Sequence, residues 1–138
     1  AHIAVQSRVF PGLIAALDRL DTLGVKTAVV TNKREDMARK LLGELGLVDR
    51  MATIIGGDTL GPGNAKPSPA PIIEMVARCG GGRAAFVGDS IYDVMAANSS
   101  GVTSIAVSFG FLDRPADELG ADHVIDHFND LVPLLTRL

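Results

Sequence analysis

A chain of 138 residues, 47% apolar and with a net charge of −3, is long enough for one domain with its own core, and its composition is that of a globular protein in water. The basic residues are scattered, which excludes the charge stripe of a nucleic-acid binder; no apolar run reaches the length that spans a bilayer, and no signal peptide is read at the start. The single cysteine, Cys79, cannot form an internal disulfide and reads as a small buried hydrophobe, so the expected location is a reducing cytoplasm.

The first eight residues, AHIAVQSR, begin without Met and are read as the tail of a helix. In PGLIAALDRLDTLG, Leu13, Ala16, Leu17 and Leu20 share one face between Pro11 and Gly24, which predicts a helix with its punctuation. The β-branched run Val25 to Thr31 predicts a buried strand. REDMARKLLGELG places Met37, Leu41, Leu42 and Leu45 on one expected stripe of a second helix that closes at Gly46. MATIIGG is a short strand, and Asp58 to Pro69 is a loop by its glycines and prolines. APIIEMVARCG predicts a helix, RAAFVGD a strand, SIYDVMAANSSG a helix ending at Gly101, and VTSIAVSFG a strand. A polar loop with Arg114 and Pro115 leads to a short strand in ADHVID. HFNDLVPLLTRL is read as a last helix, which Pro133 kinks or breaks.

Strands and helices alternating at this spacing predict a three-layer αβα, Rossmann-like parallel sheet covered on both faces. Such sheets bind ligands beyond the carboxyl ends of their strands. Thr31 and Asn32 lie at one such end, Asp89 at another, and Lys66 in the loop between. Asp89 and Asp93, four apart across a strand-to-helix turn, suit Mg²⁺ with its hard oxygen ligands. The same pair also reads as a helix N-cap and a first-turn charge. The Thr31 hydroxyl, the N–H that follows it and the Lys66 ammonium are donors to phosphate oxygens; singly, each also fits an ordinary strand end or loop. In this order and at these positions they make up what phosphoryl transfer needs besides a nucleophile.

These residues resemble the haloacid dehalogenase superfamily of phosphatases and, within it, the phosphoglycolate phosphatase group. VVTNK is similar to its second motif, KPSPAP to its third and FVGDSIYDVMAA to its fourth. FPGLIAALDRL, GGDTL and GADHVIDHFNDL agree in the flanks, so the likeness covers almost the whole chain. The resemblance implies Thr31, Asn32 and Lys66 as phosphate ligands, with Thr31 and Lys66 catalytic. It implies Asp89 as a Mg²⁺ ligand, and Asp93 completing the metal site directly or through water while orienting Lys66. It also implies a small phosphorylated metabolite, phosphoglycolate-like, as substrate, and hydrolysis through an aspartyl-phosphate.

The sequence departs from that pattern in one respect: it contains no Asp-x-Asp, the motif that supplies the family's nucleophile on its central strand. Residues 1–10 are therefore expected to be the remnant of a connection from a helical cap to the core, and 11–138 the core, with its central strand missing. The chain alone is expected to be inactive and marginally stable, its sheet completed by a second copy or a further N-terminal segment. The alternatives are a non-catalytic phosphate- or Mg²⁺-binding αβ module, a β-phosphoglucomutase-like phosphomutase, and a receiver-like signalling domain, whose acidic residues would come first in the chain. His2, His123 and His127 are read as surface or helix-end residues.

Overall fold

A computed structural model describes the backbone of residues 2–5 and the whole of 12–109 and 115–138. Six strands, β1 (His2–Val5), β2 (Lys26–Val30), β3 (Ile54–Ile55), β4 (Ala84–Gly88), β5 (Thr103–Val107) and β6 (His123–Ile125), form one sheet in the order β3-β2-β1-β4-β5-β6. Every pairing is parallel.

Parallel strands are buried on both faces, and alternation divides their side chains between two cores. Val29, Ala85, Val87, Ile105 and Val107 point to the side covered by α1 (Leu13–Thr22), α2 (Glu35–Glu44) and α5 (Leu131–Thr136). Ala28, Val30 and Phe86 point to the side covered by α3 (Ala70–Arg78) and α4 (Ile91–Ser100). The expected three-layer αβα architecture is present.

The expectation of a missing central strand is corrected. His2–Val5 is an extended strand, not the tail of a helix. It lies between β2 and β4, pairing Ala4 with Ala28 on one side and with Phe86 on the other. The sheet therefore includes residues 2–5. Two inner strands with no chain between them would each leave a row of main-chain donors and acceptors unpaired, and the short apolar run Ile3 to Val5 satisfies both. Four residues are too few for periodicity to separate strand from helix, which is why the run was misread.

Two smaller expectations also change. In α2 the buried stripe is Ala38 and Leu42, while Met37 and Leu45 are exposed, so the helix is turned from the predicted face. The last segment is a 3-10 turn, Phe128–Asp130, followed by α5. Pro133 is the third residue of α5, where no intrahelical partner for an N–H exists, so it neither kinks nor breaks the helix.

Candidate active site

The carboxyl ends of β2, β3 and β4 carry three buried polar side chains on or beside them. Thr31 is 4% exposed, Lys66 4% and Asp93 1%. Burying a charge is costly unless it is paired and hydrogen-bonded, so their arrangement needs an account.

Lys66 is held at both ends. Its Nζ donates to the Val30 carbonyl at 3.2 Å and to Asp93 Oδ1 in a tight ion pair, and it lies 5.1 Å from the centre of the Phe86 ring. Its main chain is held by Asn32: the Lys66 N–H donates to Asn32 Oδ1 and Asn32 Nδ2 donates to the Lys66 carbonyl, each at 2.9 Å. Lys66 thus joins the end of β2 to the β4–α4 turn, the two elements on either side of β1 in the sheet. Burial pushes the ammonium below the ordinary lysine range, and the Asp93 and Asp89 carboxylates oppose that shift.

Asp93 is held as firmly. Its Oδ2 accepts the main-chain N–H of Asp89 at 3.1 Å and of Ser90 at 3.2 Å, while Ser90 Oγ accepts the Asp93 N–H at 3.2 Å. This is a reciprocal capping box, so the helix cap is Ser90 rather than Asp89. The Ser-x-x-Asp spacing at 90–93 was the signal for it. Gly88 leaves room for this carboxylate, since a β-carbon there would stand 2.5 Å from Asp93 Cβ and Oδ2.

The Thr31 hydroxyl accepts the Lys33 N–H at 3.2 Å, and no acceptor for its own hydrogen occurs among the described residues. The Asn32 main-chain N–H likewise has no partner among them. Two donors therefore remain at the end of β2. The turn is braced from the loop after β3. The Gly57 N–H donates to the Lys33 carbonyl at 2.6 Å, and Asp58 Oδ1 accepts the Glu35 N–H at 2.8 Å, capping α2 from outside. Thr59 Oγ1 accepts the Gly56 N–H and donates to Glu35 Oε1, both at 2.8 Å. Gly56 and Gly57 lie against the main chain of 32–35, closer than any β-carbon allows. Sequence reasoning singled out GGDTL only as a flank; here it holds the turn that carries Thr31.

Thr31, Asn32, Lys66, Asp89 and Asp93 are thus all at one edge of the sheet. Asp89 is half-buried beside the Asp93 carboxylate. Its hard oxygens suit a divalent cation such as Mg²⁺. Asp93 has both oxygens engaged, and no group of three acidic, histidine or cysteine residues able to hold a metal occurs among the described residues. Much of the coordination would fall to water and substrate, as Mg²⁺ commonly requires.

The family model for haloacid dehalogenase-like hydrolases matches residues 1–107. The chain belongs to this family. It is 43% identical over 98% of its length to a phosphoglycolate phosphatase of Agrobacterium fabrum, covering 58% of that protein. It is 40% identical over 95% of its length to one from Caulobacter vibrioides, covering 55% of it. Among solved structures of the haloacid dehalogenase-like fold, a predicted phosphoglycolate phosphatase from Haemophilus somnus superposes with a TM-score of 0.85. It is 29% identical, and 93% of this chain and 57% of that one are covered. A putative β-phosphoglucomutase from Thermotoga maritima has a TM-score of 0.80 at 24% identity, a likeness of fold. The chain spans a little over half the length of the curated relatives it matches.

Proposed function

We propose that this chain is the phosphate- and metal-binding core of a phosphomonoester hydrolase of the phosphoglycolate phosphatase type. The observation that carries the reading is the buried Lys66–Asp93 pair set beside the open donors of Thr31 and Asn32 at the carboxyl edge of the sheet. Its relatives named phosphoglycolate phosphatase support the substrate, a small phosphorylated acid.

In this reading the Thr31 hydroxyl and the Asn32 main-chain N–H donate to oxygens of the transferring phosphoryl group, and Lys66 balances its charge. Asp89 and Asp93 hold Mg²⁺, Asp89 by its own carboxylate and Asp93 by fixing the Asp89 and Ser90 main chain. When bound, Mg²⁺ supplies neutralisation of phosphate charge. The attacking group is an aspartate forming an aspartyl-phosphate. With no Asp-x-Asp in the sequence, the 138-residue chain alone binds phosphate but does not turn over. Among the described residues no helix is long and apolar enough to cross a membrane.

The test is phosphate release from 2-phosphoglycolate with Mg²⁺ or with EDTA, by the chain alone and by the protein as its source produces it. The expected result is Mg²⁺-dependent release by the source protein, abolished by Lys66→Met, and none by the chain. Turnover by the chain that disappears in Asp89→Asn would overturn its inactivity. Phosphate binding with no turnover in the source protein would favour the non-catalytic module, which the lack of Asp-x-Asp also favours.

A further inference from the structure

We propose that Asn32 is a positioning residue for Lys66, its side chain acting on phosphate binding through that lysine. The inference rests on the phosphatase reading above. The amide oxygen of Asn32 and one N–H of its NH2 group are both directed at the main chain of Lys66. Turning either toward a ligand would open one of two bonds at 2.9 Å and leave a main-chain group of Lys66 without its partner.

The same short segment grips the other end of the lysine through the Val30 carbonyl. Positions 30 and 32 meet Lys66, one by main chain and one by side chain, and position 31 between them keeps a hydroxyl hydrogen open. An ammonium on a four-carbon stem carries much rotamer freedom, and its burial alone disfavours the charged form. Fixing both its root and its tip to β2, with Asp93 on the far side, places that charge before any ligand arrives. Asn32 therefore contributes to phosphate affinity through Lys66.

The experiment uses the 138-residue chain with Asn32→Ala, Lys66→Met and the double variant. It reads inorganic phosphate affinity with Mg²⁺ present, and the ε-methylene resonance of Lys66 in ligand-free, lysine-labelled protein. The chain has four lysines, so the resonance is assignable by difference. The expected result is that Asn32→Ala moves the Lys66 resonance toward that of a solvated lysine and leaves those of Lys26 and Lys40 in place. It also weakens phosphate about tenfold, the scale of one or two lost hydrogen bonds. On the Lys66→Met background Asn32→Ala has no further effect. An unmoved Lys66 resonance, or losses that multiply in the double variant, would overturn the proposal. If Lys66→Met does not fold, the resonance decides alone. If the unaltered chain binds no phosphate, the phosphatase reading fails, and the resonance still decides whether Asn32 positions Lys66.

Discussion

The α-carbon of Gly88 lies against the carboxylate of Asp93: a β-carbon at position 88 would stand 2.5 Å from Asp93 Cβ and Oδ2. The last residue of β4 is thus kept bare by the first turn of the helix that follows. Gly88→Ala is expected to displace a carboxylate that holds both Lys66 and the Asp89 and Ser90 N–H groups. A cost of about 2–3 kcal/mol follows from overpacking of this kind. Urea unfolding measures it; a loss below about 0.5 kcal/mol would show that Asp93 moves aside freely.

Removing Asp93 should cost more than crowding it. Asp93→Ala leaves the Lys66 ammonium buried without its counter-charge, and a loss of about 3–5 kcal/mol is expected. Lys66→Met in the same chain should restore much of it, because the orphaned charge is then gone. If the double variant is as unstable as the two single losses summed, the pair is not an energetic unit.

The central strand gives a third prediction. Ala4 pairs with Ala28 and Phe86, so it faces ladder partners on both sides. Ala4→Pro should cost about 3 kcal/mol or more by removing a ladder bond in the middle of the sheet. Unchanged stability would mean that His2–Val5 is not held between β2 and β4 in solution.

Acid should loosen the brace at the start of α2. Hydrogen bonds from Arg39 and then Thr59 hold the Glu35 carboxyl below the ordinary value near 4.5. A group with a lowered native pKa stabilises the fold above its unfolded value, and that contribution fades as pH falls through the native one. Wild type and Glu35→Gln are therefore expected to differ in stability above pH 4.5 and to converge below it. A constant gap across that range would place the effect elsewhere.

Cys79 offers a probe of the whole fold. It is 2% exposed, and burial raises its thiol above the ordinary range. Reaction with a thiol reagent at neutral pH should be slow in native protein and rapid in urea, and its native rate should follow unfolding. Fast native labelling would show local opening around α3.

The layered architecture was legible because a buried parallel sheet writes itself as short β-branched runs between amphipathic helices, as in Lys26–Val30 and Thr103–Val107. The contact of Lys66 with Asp93 was also expected. Three things were not legible. His2–Val5 is too short to carry a period. The stripe of α2 was misjudged because Ala38, a small residue, is buried while the larger Met37 is not. The pair of hydrogen bonds between Asn32 and Lys66 joins residues 34 apart in the chain, and no local pattern records it.

The grip on the Lys66 ammonium by Val30 is made by a carbonyl oxygen. Any residue at position 30 presents the same oxygen, so replacing the valine side chain probes its packing against Phe86 and Ile55 and leaves the grip itself untouched. A survey by alanine substitution would score Val30 as core and pass over its electrostatic role. Weakening that carbonyl as an acceptor, by converting the peptide link between Val30 and Thr31 to an ester, reaches it. Part of this site's chemistry is thus written in the path of the backbone, where natural variation in side chains has little hold on it.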